Sequence, residues 1–276
     1  MNFAPPSAPP AGWYFDPWKR ATYRWWDGRA WSWQVHTPAP NPAPVPAAPL
    51  PTLPMAAGLW GLLAITAVLI ALHLLAALAA GHLPVVFGVL LVGSALYGPM
   101  AVFCFYASRR WGTGHVGADL GARVKPVDAA IGLAVAFIAL QAERIALLVV
   151  EILHLPVRSN TEGVSISSDR GLYLTLAALA IVAAPLVEEL FFRGLLLSAL
   201  RSRLGPVAAV AVQGAVFGAY HASPNYGTGN VGLVVILAAV GVVFGATAQL
   251  TRRLGPGMVA HALLNATVFL VLLSTT

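Results

Sequence analysis

The chain has 276 residues, 58% of them hydrophobic and 9% charged, with a formal net charge of +6 and a mean hydropathy of +0.77. A soluble domain carries roughly 25% charged residues, so the composition excludes an ordinary soluble protein and predicts an integral membrane one. In such a protein basic residues mark cytoplasmic loops rather than a nucleic-acid surface, and no nucleic-acid partner is expected.

The first stretch, "MNFAPPSAPP", has neither a basic start nor an apolar core, so no cleavable signal peptide is expected. Residues 1–36 stand apart from the rest and hold six of the eight tryptophans: Trp13, Trp18, Trp25, Trp26, Trp31 and Trp33. In "YRWWDGRAWSW" aromatic residues flank Asp27-Gly28, a favoured type I′ turn pair, which predicts a β-hairpin with "GWY" as a third strand. So few residues bury little core, and stacked Trp rings must stand in for volume. "AGWYFDP" followed by "RWWDGRAW" resembles DUF2510, a short N-terminal module common in membrane proteins of high-GC Gram-positive bacteria. That module has no established chemistry, so the resemblance implies a positioning or interaction role, with an unknown protein partner.

Residues 37–54, "TPAPNPAPVPAAPLPTLP", place proline at nearly every second position. Such a run favours polyproline II at ~3.1 Å per residue and reads as a spacer of roughly 55 Å. Residues 55–276 then hold seven apolar segments near the ~20-residue spanning length. They run over 56–80, 84–107, 127–153, 172–200, 207–222, 230–250 and 257–273, the fifth being short and closed by Pro224. The predicted fold is therefore an all-α polytopic membrane protein of about seven helices, preceded by a small β module on a proline-rich linker. Arg109, Arg110, Arg123, Lys125, Arg201, Arg203, Arg252 and Arg253 fall in loops on one side, against Arg158 and Arg170 on the other. This bias predicts a cytoplasmic N-terminus and an external C-terminus.

Ionisable groups inside the spans carry the functional signal, because each Glu or Arg at a helix centre costs about 2.5–3.5 kcal/mol on insertion scales. "VEELFFRG" places Glu188, Glu189 and Arg193 in the fourth segment. Glu189 and Arg193 are four apart on one helical face, acid before base, and can neutralise each other. Glu188 is rotated about 100° away and has no partner on its own helix. His221 ends "FGAYH", one turn after Phe217, and "HALLN" sets His261 and Asn265 on one face of the last segment. A carboxylate with imidazoles in a watery cavity can deprotonate water, directly or on a metal. Glu143-Arg144 reads as a local pair or a snorkelling arginine. Cys104, the one cysteine, lies in an apolar run, which argues against disulfides and thiol catalysis. No Gly-x-Ser-x-Gly occurs, and Asp119, Asp128 and Asp169 all lie in or beside loops, which argues against serine and aspartyl chemistries.

"EELFFR", "FGAYH" and "HALLN", in that order, resemble the CAAX-protease and bacteriocin-processing superfamily of intramembrane endopeptidases, over roughly residues 120–273. The resemblance implies hydrolysis of a peptide bond in a membrane-associated or lipidated peptide or protein. Glu188 would be the general base, His221 would orient the water, and His261 with Asn265 would stabilise the oxyanion. Glu189, Arg193 and Phe217 would support them. A second chemistry stays open, in which Glu188, His221 and His261 bind Zn²⁺. So does a different class of function, a non-proteolytic membrane scaffold or immunity-type protein that keeps the fold. The expected setting is the cytoplasmic membrane of a bacterium, with the lipid bilayer and a peptide substrate as partners. Counting ~1.5 Å per residue from the cytoplasmic loops puts His261 about 12 Å in, Glu188 about 18 Å and His221 deeper. A shared site therefore needs the fifth segment to tilt or to start late.

Overall fold

Antiparallel pairing of three short strands organises the N-terminal residues in the computed structural model, which describes residues 9–38, 52–79, 84–158 and 169–274. The chain divides into two compact units between Pro49 and Leu50. In the first, β1 (Gly12–Phe15), β2 (Tyr23–Trp26) and β3 (Trp31–His36) form a meander in the order β1-β2-β3. Trp13 opposes Trp25 with ring centroids 5.5 Å apart, and Trp26 opposes Trp31 at 5.2 Å, both edge-to-face. These rings supply the cross-strand contact that so small a sheet needs.

The β2–β3 connection differs from the two-residue type I′ turn expected at Asp27-Gly28. It spans residues 27–30, where the Asp27 carboxylate accepts from the backbone N–H groups of Arg29 and Ala30, both at 2.7 Å. Asp27 thus builds the turn with its side chain, and Gly28 supplies the positive φ of 99°. The loop after β1 is organised by buried Asp16, which accepts from Arg24 Nε and from the N–H groups of Arg20 and Ala21, each at 2.9 Å. Most of the proline-rich spacer, residues 39–51, lies outside the described residues.

The second unit is helical: α1 (Met55–Ala79), α2 (Val85–Trp111), the single turn α3 (Val116–Asp119), α4 (Asp128–Ile152) and α5 (Arg170–Arg201). It continues with α6 (Pro206–Tyr220), α7 (Asn230–Thr251) and α8 (Gly255–Ser274). Six of these helices are long and apolar enough to cross a membrane. The seventh apolar helix, α6, has 15 residues; at ~1.5 Å per residue it falls short of a ~30 Å hydrocarbon core. It packs against α7 through glycines. A Cβ at Gly218 would stand 2.4 Å from the Val234 carbonyl oxygen, and one at Gly214 would stand 2.9 Å from Val242 N. Small residues let the two backbones approach where apolar burial gives no preference over lipid.

Helix α6 starts at Pro206 rather than late, yet His221 and His261 both come within 4.0 Å of Glu188. The start of α8 packs against the loop before α4. Leu254 N–H donates to Gly121 O at 2.9 Å, Arg253 Nε to Asp128 at 2.6 Å, and Gly255, Pro256 and Gly257 are buried. The start of α8 is thus buried in the protein, whereas residues 205–208 at the start of α6 are exposed.

Two outcomes are expected. Gly218→Ala should overpack the α6–α7 contact and destabilise the bundle by about 1–3 kcal/mol, read as a lower melting temperature in detergent. The Arg24 guanidinium, helped by three backbone N–H groups, holds the Asp16 carboxyl down at about 2. A depressed pKa stabilises fully above the ordinary carboxylate range and is lost as pH falls through the folded-state value. Tryptophan fluorescence should thus report acid loss of the sheet near pH 2, and Asp16→Asn should remove that step.

Candidate active site

Helix α5 is not uniform where its glutamates lie. Its α-helical residues Ala184–Glu188 are held between two π-helical stretches, Leu179–Ala183 and Glu189–Leu196. The first follows from Pro185. In the π register Ala184 N–H donates five residues back to Leu179 O. The next donor in that register would be Pro185, which has no N–H, so the Ala180 carbonyl loses its helical partner. Asn265 on α8 fills the gap, with Nδ2 donating to Ala180 O at 2.6 Å. The residue expected as an oxyanion donor thus also ties α8 to α5 and keeps one N–H to spare. Such π turns recur at functional sites.

Glu188, at the end of that α-helical turn, is buried with 4% exposure. Its Oε2 stands 4.0 Å from His221 Nε2 and 4.0 Å from His261 Nε2, and it has no hydrogen-bond partner among the described residues. These three groups come from α5, the C-terminal end of α6, and α8. With Asn265 they line one cavity of about 620 Å³. The gap of 4.0 Å is too long for a direct hydrogen bond, yet one water ~2.8 Å from each atom would fit between them.

Both histidines are held from behind. His221 Nδ1 lies 2.8 Å from Phe217 O, and a carbonyl can only accept, so this nitrogen carries the proton. His261 Nδ1 faces Glu189 Oε1 at 3.3 Å and is assigned its proton in the same way. Each Nε2 is thereby aimed at Glu188, with the ring orientation fixed by its partner.

Arg193 holds these contacts together. It is buried, with Nη1 3.1 Å from Glu189 Oε1, so the expected i,i+4 pair forms. The contact lies off hydrogen-bond alignment, which makes it Coulombic rather than directed. The guanidinium carbon sits 4.0 Å from the Phe217 ring centroid and 5.1 Å from that of Phe244. In a desolvated site those ring faces take the place of missing acceptors. Glu189 is completely buried and fits only because residue 257 is glycine: a Cβ there would lie 2.6 Å from Glu189 Oε2.

Three ionisable cavity residues were not anticipated as part of a site: Tyr97, Tyr220 and Glu143. Tyr220 lies inside "FGAYH", next to His221, and could have been marked from that alone. For Tyr97 on α2 and Glu143 on α4 no local signal exists, since only the packing of helices brings them here. Glu143 and Arg144 are electrostatic neighbours on α4, as expected, with Arg144 exposed and no hydrogen bond between the two among the described residues. As for zinc, no group of three His, Cys, Asp or Glu among the described residues is arranged to hold a metal ion. Oxygen and nitrogen ligands ~2.1 Å from one tetrahedral Zn²⁺ stand ~3.4 Å apart, closer than the 4.0 Å found at Glu188.

Removing one partner of a buried pair strands the other charge. Arg193→Met should therefore cost about 3–5 kcal/mol of stability, and the double variant Glu189→Gln, Arg193→Met should recover most of it. Melting curves of the three variants in nanodiscs form the test; equal losses in the single and double variants would rule out the pair as the source.

The family comparisons agree with this geometry in location. The family model described as Type II CAAX prenyl endopeptidase Rce1-like matches residues 170–267, from the start of α5 into α8. The model described as a protein of unknown function, DUF2510, matches residues 11–47. No curated protein and no solved structure matches the chain at a significant level. The chain is thus similar to the Rce1-like family over its last four helices and to DUF2510 over its N-terminal sheet.

Proposed function

We propose that the chain is a membrane-embedded endopeptidase that hydrolyses a peptide bond of a membrane-associated peptide or protein. The observation that carries this reading is Glu188, a buried carboxylate facing two pinned imidazoles across a gap of one water.

In the proposed reaction the water lies between Glu188 Oε2 and His221 Nε2. With its proton on Nδ1, the neutral His221 ring accepts one hydrogen bond from that water and orients it. Glu188 removes the other proton as the oxygen attacks the scissile carbonyl carbon. The carbonyl π electrons move onto oxygen to give a tetrahedral oxyanion. His261, its Nδ1 set against Glu189, is a candidate oxyanion donor from Nε2 when it carries protons on both ring nitrogens. The free N–H of Asn265 is a second candidate donor. Glu188 then returns its proton to the leaving nitrogen, the C–N bond breaks, and the new carboxylic acid passes its proton to the amine, so a carboxylate and an ammonium leave. A positioned general base contributes about 10²–10⁴-fold and each oxyanion donor about 10²–10³-fold. No step runs through a metal.

The same reading assigns residues 1–36 as a tag module, 37–54 as its spacer and 55–276 as the peptidase bundle. It places the N-terminus in the cytoplasm and the C-terminus outside, in a bacterial cytoplasmic membrane, which requires α6 and its following turn to complete a crossing. Supporting this is the loop bias of Lys and Arg.

Glu188→Gln keeps the shape and removes the base. Comparative proteomics of cells carrying this variant should reveal uncleaved membrane-associated precursors at wild-type levels of the enzyme. A phenotype untouched by Glu188→Gln but lost on deleting residues 1–54 would instead favour a scaffold. Purified enzyme should keep its cleavage activity after exhaustive chelation; loss reversed by added Zn²⁺ would overturn the metal-free chemistry.

A further inference from the structure

The cavity holds a second carboxylate that the proposed reaction does not use. Glu143 lies on α4, half-buried, and lines the same space as Glu188. Its neighbour Arg144 points about 100° away around the helix and is exposed. No hydrogen bond engages the Glu143 carboxylate among the described residues, and its one electrostatic neighbour is the exposed Arg144 beside it on the helix. An acid at this depth is costly, and such residues mark substrate or ion pathways by default.

Its distance from the chemistry can be read from the register of α4 on α8. Asp128 lies against Gly255, and Gly132 against Val259. Both pairs have the same offset, so the helices run parallel and Glu143 is level with residue 270. At ~1.5 Å per residue this is roughly 13 Å along α8 from His261. Between them the wall is mainly apolar, with Leu140, Leu264 and Val268 facing the cavity. An extended peptide rises ~3.3 Å per residue, so Glu143 stands about four residues from the scissile bond.

We infer that Glu143 is a specificity residue, taking a cationic group of the substrate three to five residues from the bond that Glu188 cleaves. The ligand class is a Lys or Arg side chain, or a free amine, on an otherwise apolar peptide. A wall of hydrocarbon with one acid accepts an apolar chain and asks for one positive charge at a fixed spacing. Without it, binding takes the carboxylate out of water with no hydrogen-bond donor in return. This inference rests on the peptidase reading above.

The test uses the full-length protein in phosphatidylcholine–phosphatidylglycerol nanodiscs. The probe is a pool of defined apolar 20-residue peptides carrying Lys, Gln or Glu at each position in turn, with cleavage sites read by mass spectrometry. Wild type should favour peptides with Lys three to five positions from the cut. Glu143→Gln should lower cleavage of those peptides at least about tenfold while leaving the Gln series unchanged, and Glu143→Lys should turn the preference to Glu. The same ranking in wild type and both variants would overturn the role of Glu143 alone. If wild type cuts nothing, like Glu188→Gln, the peptidase reading falls and this inference with it. Melting temperatures of both variants within a few degrees of wild type separate a change of preference from loss of fold.

Discussion

A guanidinium buried among membrane helices must be neutralised where it stands, and the site is built around that requirement at Arg193. Glu189 lies four residues before it and meets its charge. The same Glu189 oxygen lies against His261 Nδ1, so neutralising the arginine also sets the ring of a histidine on α8. Phe217 covers the guanidinium with its ring, and its backbone carbonyl holds His221 Nδ1. Phe244 closes the cage from α7. One buried cation thus ties α5, α6, α7 and α8 together, and the two imidazoles are aimed as a consequence. Glu188 is left out of this network, which is why its carboxylate remains available to water.

Backbone irregularity serves the same end. Pro185 and the π turn before it free the Ala180 carbonyl, and Asn265 satisfies it from α8. In hydrocarbon an unsatisfied carbonyl is costly enough to dictate which helix stands opposite. The α5–α8 seam is therefore specified twice, by Asn265 at Ala180 and by His261 at Glu189, nine residues further along α5 and four residues earlier on α8. Glycines permit the approach: Gly257 makes room for Glu189, and Gly218 lets α6 lie against α7 just before His221.

Much of the bundle was legible because spanning length and charge scarcity are local properties of sequence. Seven apolar segments, the Glu189–Arg193 pair and the solitary Glu188 follow from counting residues and applying 100° per residue. The shortness of α6 was also visible, though not that His221 and His261 would both reach Glu188. Placing His261 involves the start of α8 packing against the loop that ends at Asp128, a contact between residues more than a hundred positions apart. The hairpin in the N-terminal sheet was legible for the same local reason. Its turn type was not, since the Asp27 side chain outcompeted a two-residue connection for the backbone donors.

By itself, then, the sequence determined the membrane class, the ionisable residues that the bilayer would penalise, and the faces those residues occupy on their own helices. Tertiary structure alone decided which faces meet. It gave Arg193 an aromatic cage, gave Asn265 a carbonyl to hold, and brought Tyr97 and Glu143 to the wall of the cavity. The physical reason is that apolar helices in lipid gain nothing from apolar burial as such. Their neighbours are chosen by close packing at glycines and by polar groups that must be satisfied across helices, and neither is a property of one segment read alone.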